Sequence, residues 1–313
     1  MLIATLPSVH QERLLHEIIE HPLVGGVRFN VGSASPYGPE ETLSKIVSLV
    51  ETNEKKFWLD LKGRQLRIVQ WAAPHYGKII LNHSLEVDCP AEVFFRGDES
   101  CEVRFVRDNT IFVEPDPPRA VGAGQAINIH GDNLKIKDYL TSDDIEYLAA
   151  ACRLGVTNFM LSFVESEDDI DEVTDQIDQH LIDFTRDDVE LILKIESPLG
   201  LELVDRFEKI DKSFCRIHLM ATRDDMMINI GDNKAAMIPA VKKISEKDAE
   251  AIVASRIFSG LENGGSVTMG DWSDLHLMKH FGYKNFMLSD GVSHRHFAEA
   301  MAAWEDYRKV FPD

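Results

Sequence analysis

Cysteine is scarce. The 313 residues hold four, Cys89, Cys101, Cys152 and Cys215, scattered and without a Cys-x-x-Cys pair. That spacing offers no disulfide framework and points to reduced, mostly buried thiols in a cytoplasmic protein. No apolar run reaches the length of a membrane span. Residues 1–7 read as a short apolar strand, without the basic start and long apolar core of a signal peptide. Cations are outnumbered, with 33 Lys and Arg against 53 Asp and Glu and a net charge of −20. This balance argues against nucleic acid and anionic membrane as general partners, while a local basic cluster can still bind a small anion. The histidines lack ligand spacing. Gly122-Ala123-Gly124 and Gly264-Gly265 match neither a phosphate loop nor a dinucleotide fingerprint. Ser162, Ser255 and Ser289 lack the nucleophile-elbow pattern, which disfavours a serine hydrolase.

What is present is an alternation. Short apolar runs at residues 2–6, 26–30, 57–62, 158–163, 191–196, 216–222, 251–255 and 285–289 read as buried strands. Helix-period segments separate them, with Pro198 suited to the first turn of a helix and Gly155 to a helix stop. Between Gly63 and Gly131 the helical period disappears. Short alternating runs at 78–81, 91–95, 102–106, 110–113 and 125–129 replace it, punctuated by Asp116-Pro117-Pro118 and Gly122-Ala123-Gly124. The fold class expected is α/β: a (β/α)8 TIM barrel of residues 1–63 and 132–313, with a small, lid-like all-β domain, residues 64–131, inserted after the third strand.

In such a barrel the chemistry sits at the C-terminal strand tips. Side chains two apart on a strand share a face. Lys194 and Glu196 therefore point together, as do Arg28 and Asn30, and Asp60 and Lys62. Asp224, Asp225, Ser255, Ser289 and Asp290 follow other strands. Glu196 with one of the two aspartates suits Mg2+ or Mn2+, hard cations that take oxygen ligands. The alternative is a structural ion network of these acids with Arg28, Arg223 or Lys194. Lys194 reads as a catalytic or phosphate-binding cation, or as a plain partner of Glu196. Arg64 and Arg67, at the start of the insert, either bind phosphate or solvate the hinge.

These segments, in this order, resemble pyruvate kinase over nearly the whole chain, without that family's C-terminal regulatory domain. Gly26-Val27-Arg28-Phe29-Asn30 resembles the segment whose Arg contacts the phosphoryl group. Leu59-Asp60-Leu61-Lys62-Gly63-Arg64-Gln65-Leu66-Arg67 resembles Asp-Thr-Lys-Gly-Pro-Glu-Ile-Arg. Lys194-Ile195-Glu196-Ser197 resembles Lys-Ile-Glu-Asn, Thr222-Arg223-Asp224-Asp225-Met226 resembles Ala-Arg-Gly-Asp-Leu, Ala254-Ser255-Arg256 stands at Ala-Thr-Gln, and Met287-Leu288-Ser289 matches Met-Leu-Ser. The resemblance implies Lys194, Arg28 and Ser255 as catalytic residues and Glu196 and Asp225 as ligands of Mg2+ or Mn2+. It assigns substrate or phosphate contacts to Asn30, Asp60, Lys62, Arg67, Asp224 and Ser289.

The departures are specific. Gly32 and Leu61 replace the Ser and Thr near the monovalent cation, which puts K+ binding in doubt. Asp224 replaces a Gly, Glu165 stands where a basic residue is usual, and the insert is short. The leading expectation is Mg2+-dependent phosphoryl transfer between phosphoenolpyruvate and a nucleoside diphosphate through a pyruvate enolate, with ADP/ATP as the nucleotide. The second is a metal-dependent aldolase or lyase acting on a pyruvate-type 2-oxo acid without nucleotide. The partners expected are small-molecule substrates, not nucleic acid or membrane; the oligomeric state, a homo-oligomer included, is left open.

Overall fold

In a computed structural model of the chain, all residues are described except 34, 71–77, 97–98, 118–120, 181–184 and 313. Pro118 of the expected turn lies outside the described residues. The chain divides into two compact units, Met1–Leu61 with Ile145–Asp313, and Lys62–Asp144.

The first unit is a closed barrel of eight parallel strands, Leu2–Thr5, Gly26–Asn30, Lys56–Leu61, Asn158–Leu161, Glu190–Ile195, Arg216–Thr222, Ile252–Ala254 and Asn285–Met287. Each pairs with its predecessor, and the eighth closes on the first through Leu2 to Phe286 and Ile3 to Met287. Parallel strands buried on both faces carry near-continuous apolar runs, as Leu191, Ile192 and Leu193 do within Glu190–Ile195, which is buried throughout. The two-residue period sorts the interior into layers. Ile3, Trp58, Met160, Ile192, Met220, Ile252 and Met287 fill the middle. Gly26 is required there, because a Cβ at that position would collide with the Trp58 ring. One step further along the same strand faces stand Thr5, Arg28, Asp60, Ser162, Lys194 and Thr222, so the layer towards the C-terminal ends is polar and still buried.

The helices follow the apolar spacing, as in Glu12–Glu20 with Leu15, Ile18 and Ile19 buried. Three short helices carry no such signal: Arg223–Asn229 directly after the sixth strand, Ser259–Gly264 after the seventh, and Asp290–Arg295 after the eighth. The last breaks from Phe297–Val310 at His296, whose φ of −136° is not helical.

The second unit is β structure, with no helix between Lys62 and Thr141 among the described residues. Ile79–Ile80, Thr110–Glu114, Glu99–Arg107, Ala91–Arg96 and Asn128–His130 form an antiparallel sheet in that order. Lys135–Ile136 pairs with Leu85–Glu86. The contact boundary thus runs on past Gly131. Val93, Val103, Ile111 and Ile129 belong to this unit's own apolar core. At its neck, the Asp144 carboxylate accepts from the Lys62 and Gly63 backbone N–H groups at 2.7 and 3.2 Å. It also closes a capping box with Thr141.

Candidate active site at the barrel mouth

The buried polar layer is one connected network. Asp60 is its hub. Arg28 donates from Nε to Asp60 Oδ2 at 2.6 Å, and Nη2 approaches the same oxygen at 2.5 Å. The Lys194 ammonium lies 3.3 Å from that oxygen and 3.4 Å from Oδ1. Lys194 also donates to Ser162 Oγ at 2.7 Å and stands 3.4 Å from Glu196 Oε1. Ser162 in turn donates to the Leu61 carbonyl. Arg28 Nη1 reaches Thr5 Oγ1 at 3.1 Å and Asp290 Oδ1 at 2.8 Å. Glu196 is fully buried, and its Oε2 accepts from the Phe163 N–H at 2.7 Å. Phe163 has a φ of +52°, a left-handed conformation that costs a non-glycine residue free energy. The backbone bends there, where its N–H meets the carboxylate.

Two features of this network are unusual for a purely structural one. Glu196 Oε1 is buried with no hydrogen-bond partner, and so is Thr222 Oγ1; buried polar atoms are normally satisfied. Burial pushes the Glu196 carboxyl up to about 8, and the negative charges of Asp225 and Asp60 add to the rise against the opposing pull of Lys194. Burial by itself lowers the Lys194 ammonium, but Asp60 and Glu196 outweigh it and hold it above its ordinary range. Carboxylates outnumber cations here.

No family model matches the chain. A curated pyruvate kinase from Thermoplasma acidophilum is 26% identical over 298 residues, covering 88% of this chain and 51% of its own. The chain is thus similar to a pyruvate kinase over most of its length, at low identity. It spans about half the length of that curated relative. The crystal structure of pyruvate kinase from Pyrobaculum aerophilum superposes with a TM-score of 0.74 at 16% identity, over 97% of this chain and 71% of that one. That likeness shows the shared fold, a barrel with a small β domain.

Within this pyruvate kinase-like barrel, Arg28, Asp60, Lys194 and Glu196 meet directly, with Asp225 close enough to act on Glu196 by its charge. The other residues named from the sequence are engaged differently. Asn30 Oδ1 accepts from the Gly32 N–H at 2.8 Å, turning the chain after the second strand. Asp224 and Asp225 lie in the first turn of Arg223–Asn229. Neighbours on a helix diverge by about 100°: Asp224 is exposed and pairs with Arg256 at 2.8 Å, while Asp225 is half-buried. Ser255 has a φ of +65°, and its carbonyl accepts from the buried Arg223 at 2.5 Å. Ser289 donates to Glu262 and caps the helix after the eighth strand. In the other unit, Lys62 pairs with Asp143 at 2.6 Å, and Arg67 donates to the Gly124 carbonyl and to Gln65. Sequence reasoning gave no role to Thr5 or Asp290. Both follow from strand parity or from their place just past a strand tip, but neither residue type announces chemistry.

Proposed function

We propose that the chain carries out phosphoryl transfer of the pyruvate kinase type, between phosphoenolpyruvate and a nucleoside diphosphate. The observation that carries this reading is the pair of buried cations, Arg28 and Lys194, held on one carboxylate, Asp60, at the C-terminal end of the barrel. Phosphoryl transfer needs positioning and neutralisation of charge more than covalent chemistry. Arg28 and Lys194 supply both from fixed positions. The phosphoryl group leaves the enol oxygen for the nucleotide's terminal phosphate, and the remaining enolate of pyruvate takes up a proton at its methylene carbon. Ser255 stands in the matching motif as the group that orders the proton source.

Mg2+ or Mn2+ fits the residues present. Glu196, whose buried Oε1 accepts no hydrogen bond, and Asp225 would hold it. Among the described residues no three His, Cys, Asp or Glu side chains form a ready cage; the remaining ligands would be substrate oxygens and water. Bound there, the ion would supply Lewis-acid polarisation of a substrate oxygen.

A second reading, chemistry on a 2-oxo acid without nucleotide, is favoured by one observation. Arg28 is already paired with both Asp60 and Asp290. While both pairs hold, little of its charge is free for a phosphoryl group. The test is pyruvate formation from phosphoenolpyruvate and ADP with Mg2+, measured per folded molecule. Turnover is expected, and Lys194→Met should lower kcat and kcat/KM together by on the order of 10²-fold or more. No turnover with any nucleoside diphosphate, with retained deuterium exchange at the pyruvate methyl group, decides for the second reading.

A further inference from the structure

We propose that Asp290 is a built-in occupant of the anion-binding face of Arg28, which an arriving anionic group must displace, and that it thereby sets the selectivity of the site. The inference rests on the reading of Arg28 as a substrate-binding cation.

A guanidinium offers five N–H groups in a fixed fork. Here Nε and Nη2 serve Asp60, while Nη1 serves Thr5 at 3.1 Å and Asp290 at 2.8 Å. At most one N–H is left over. A bidentate anion needs two, so one of the present partners has to leave. Asp60 cannot. Its side chain is 2% exposed and also holds Lys194. The Asp290 side chain is 56% exposed. It regains water on swinging out, which Asp60 would not. Its backbone is fixed meanwhile, because Ser289 caps the helix that Asp290 begins.

The consequence is a threshold. A monoanionic carboxylate replaces Asp290 like for like and gains little. A dianionic phosphate ester brings more charge and more oxygens, and wins the exchange.

Calorimetric titration of phosphoenolpyruvate at fixed Mg2+ tests this on the full chain. Four variants are compared: Asp290→Asn, Asp290→Glu, Arg28→Met and the Arg28→Met/Asp290→Asn double. Melting curves verify each fold, with Asp290→Ala as a second variant should Asp290→Asn melt early. Expected are a gain in affinity of on the order of tenfold for Asp290→Asn, near-original affinity for Asp290→Glu, and loss of the gain in the double variant. Unchanged or weaker binding by Asp290→Asn overturns the proposal. So does a gain that persists without Arg28, which marks a general charge effect, and so does an absence of binding by every variant. Failure of the underlying reading shows elsewhere: Arg28→Met alone then binds phosphoenolpyruvate as the unmodified chain does.

Discussion

Removing the Lys194 ammonium leaves Asp60 and Glu196 facing one another in a buried site with no cation between them. The scaffolding and the chemistry of this side chain therefore cannot be separated by activity alone. Lys194→Met is expected to lose about 3–5 kcal/mol of unfolding stability at neutral pH, the usual cost of breaking a buried pair from one side. Urea denaturation in the presence of a chelator measures it. Adding Asp60→Asn should return part of the loss, as expected of residues in direct contact; strict additivity of the two substitutions would remove the coupling inferred here. The residues of this network were legible in the sequence to differing degrees. Lys194 with Glu196, and Arg28 with Asn30, follow from a two-residue period, which holds wherever a strand holds. The separate fates of Asp224 and Asp225 do not, because the strand gives way to a helix at Arg223 with no loop between them. Asp290 was visible as a polar group past a strand, but its partner lies 262 positions away, a distance no local pattern spans.

Between strands and helices, Asp248 plays the part of a fastener. It ends the helix Met237–Lys247 and accepts from the Leu219 N–H at 2.8 Å, from the Glu250 N–H at 3.0 Å and from His218 at 3.2 Å. Burial raises its carboxyl, but these donors outweigh burial and hold it below the ordinary aspartate range. A carboxyl with a lowered native value stabilises the fold above its unfolded value and loses that contribution as pH falls through the native one. Asp248→Asn should therefore destabilise the chain by about 1–3 kcal/mol at pH 7. The gap to the unmodified chain should close below roughly pH 4. Melting curves across that range test it, and a gap independent of pH would contradict the assignment. The barrel strands were the most readable elements, since an apolar run bounded by helix-period segments has one interpretation in a chain of this length. Short helices such as Ser259–Gly264 were not, because six residues are too few to display a period.

At the level of the molecule, the barrel interior and the inserted sheet each hold an apolar core of their own among the described residues. A lesion in one should be felt there first. Ile111 is fully buried in the insert, so Ile111→Ala should cost about 2–5 kcal/mol. Hydrogen exchange should register it as faster exchange within Lys62–Asp144 while strand amides such as those of Glu190–Ile195 stay protected. Uniform loss of protection would mean one cooperative unit. The neck of the insert bears on how such a chain is assembled at all. An open excursion of this length would charge the barrel the entropy of closing a long loop, a cost that rises only with the logarithm of length. Asp144 offsets part of that cost, since its one carboxylate gathers the departing backbone at Lys62 and Gly63 beside the returning one. Seen from the barrel, the whole module is a tight turn. Its interior can lengthen, shorten or be exchanged for another fold with the same two ends, and the third strand and the helix after it would not register the change.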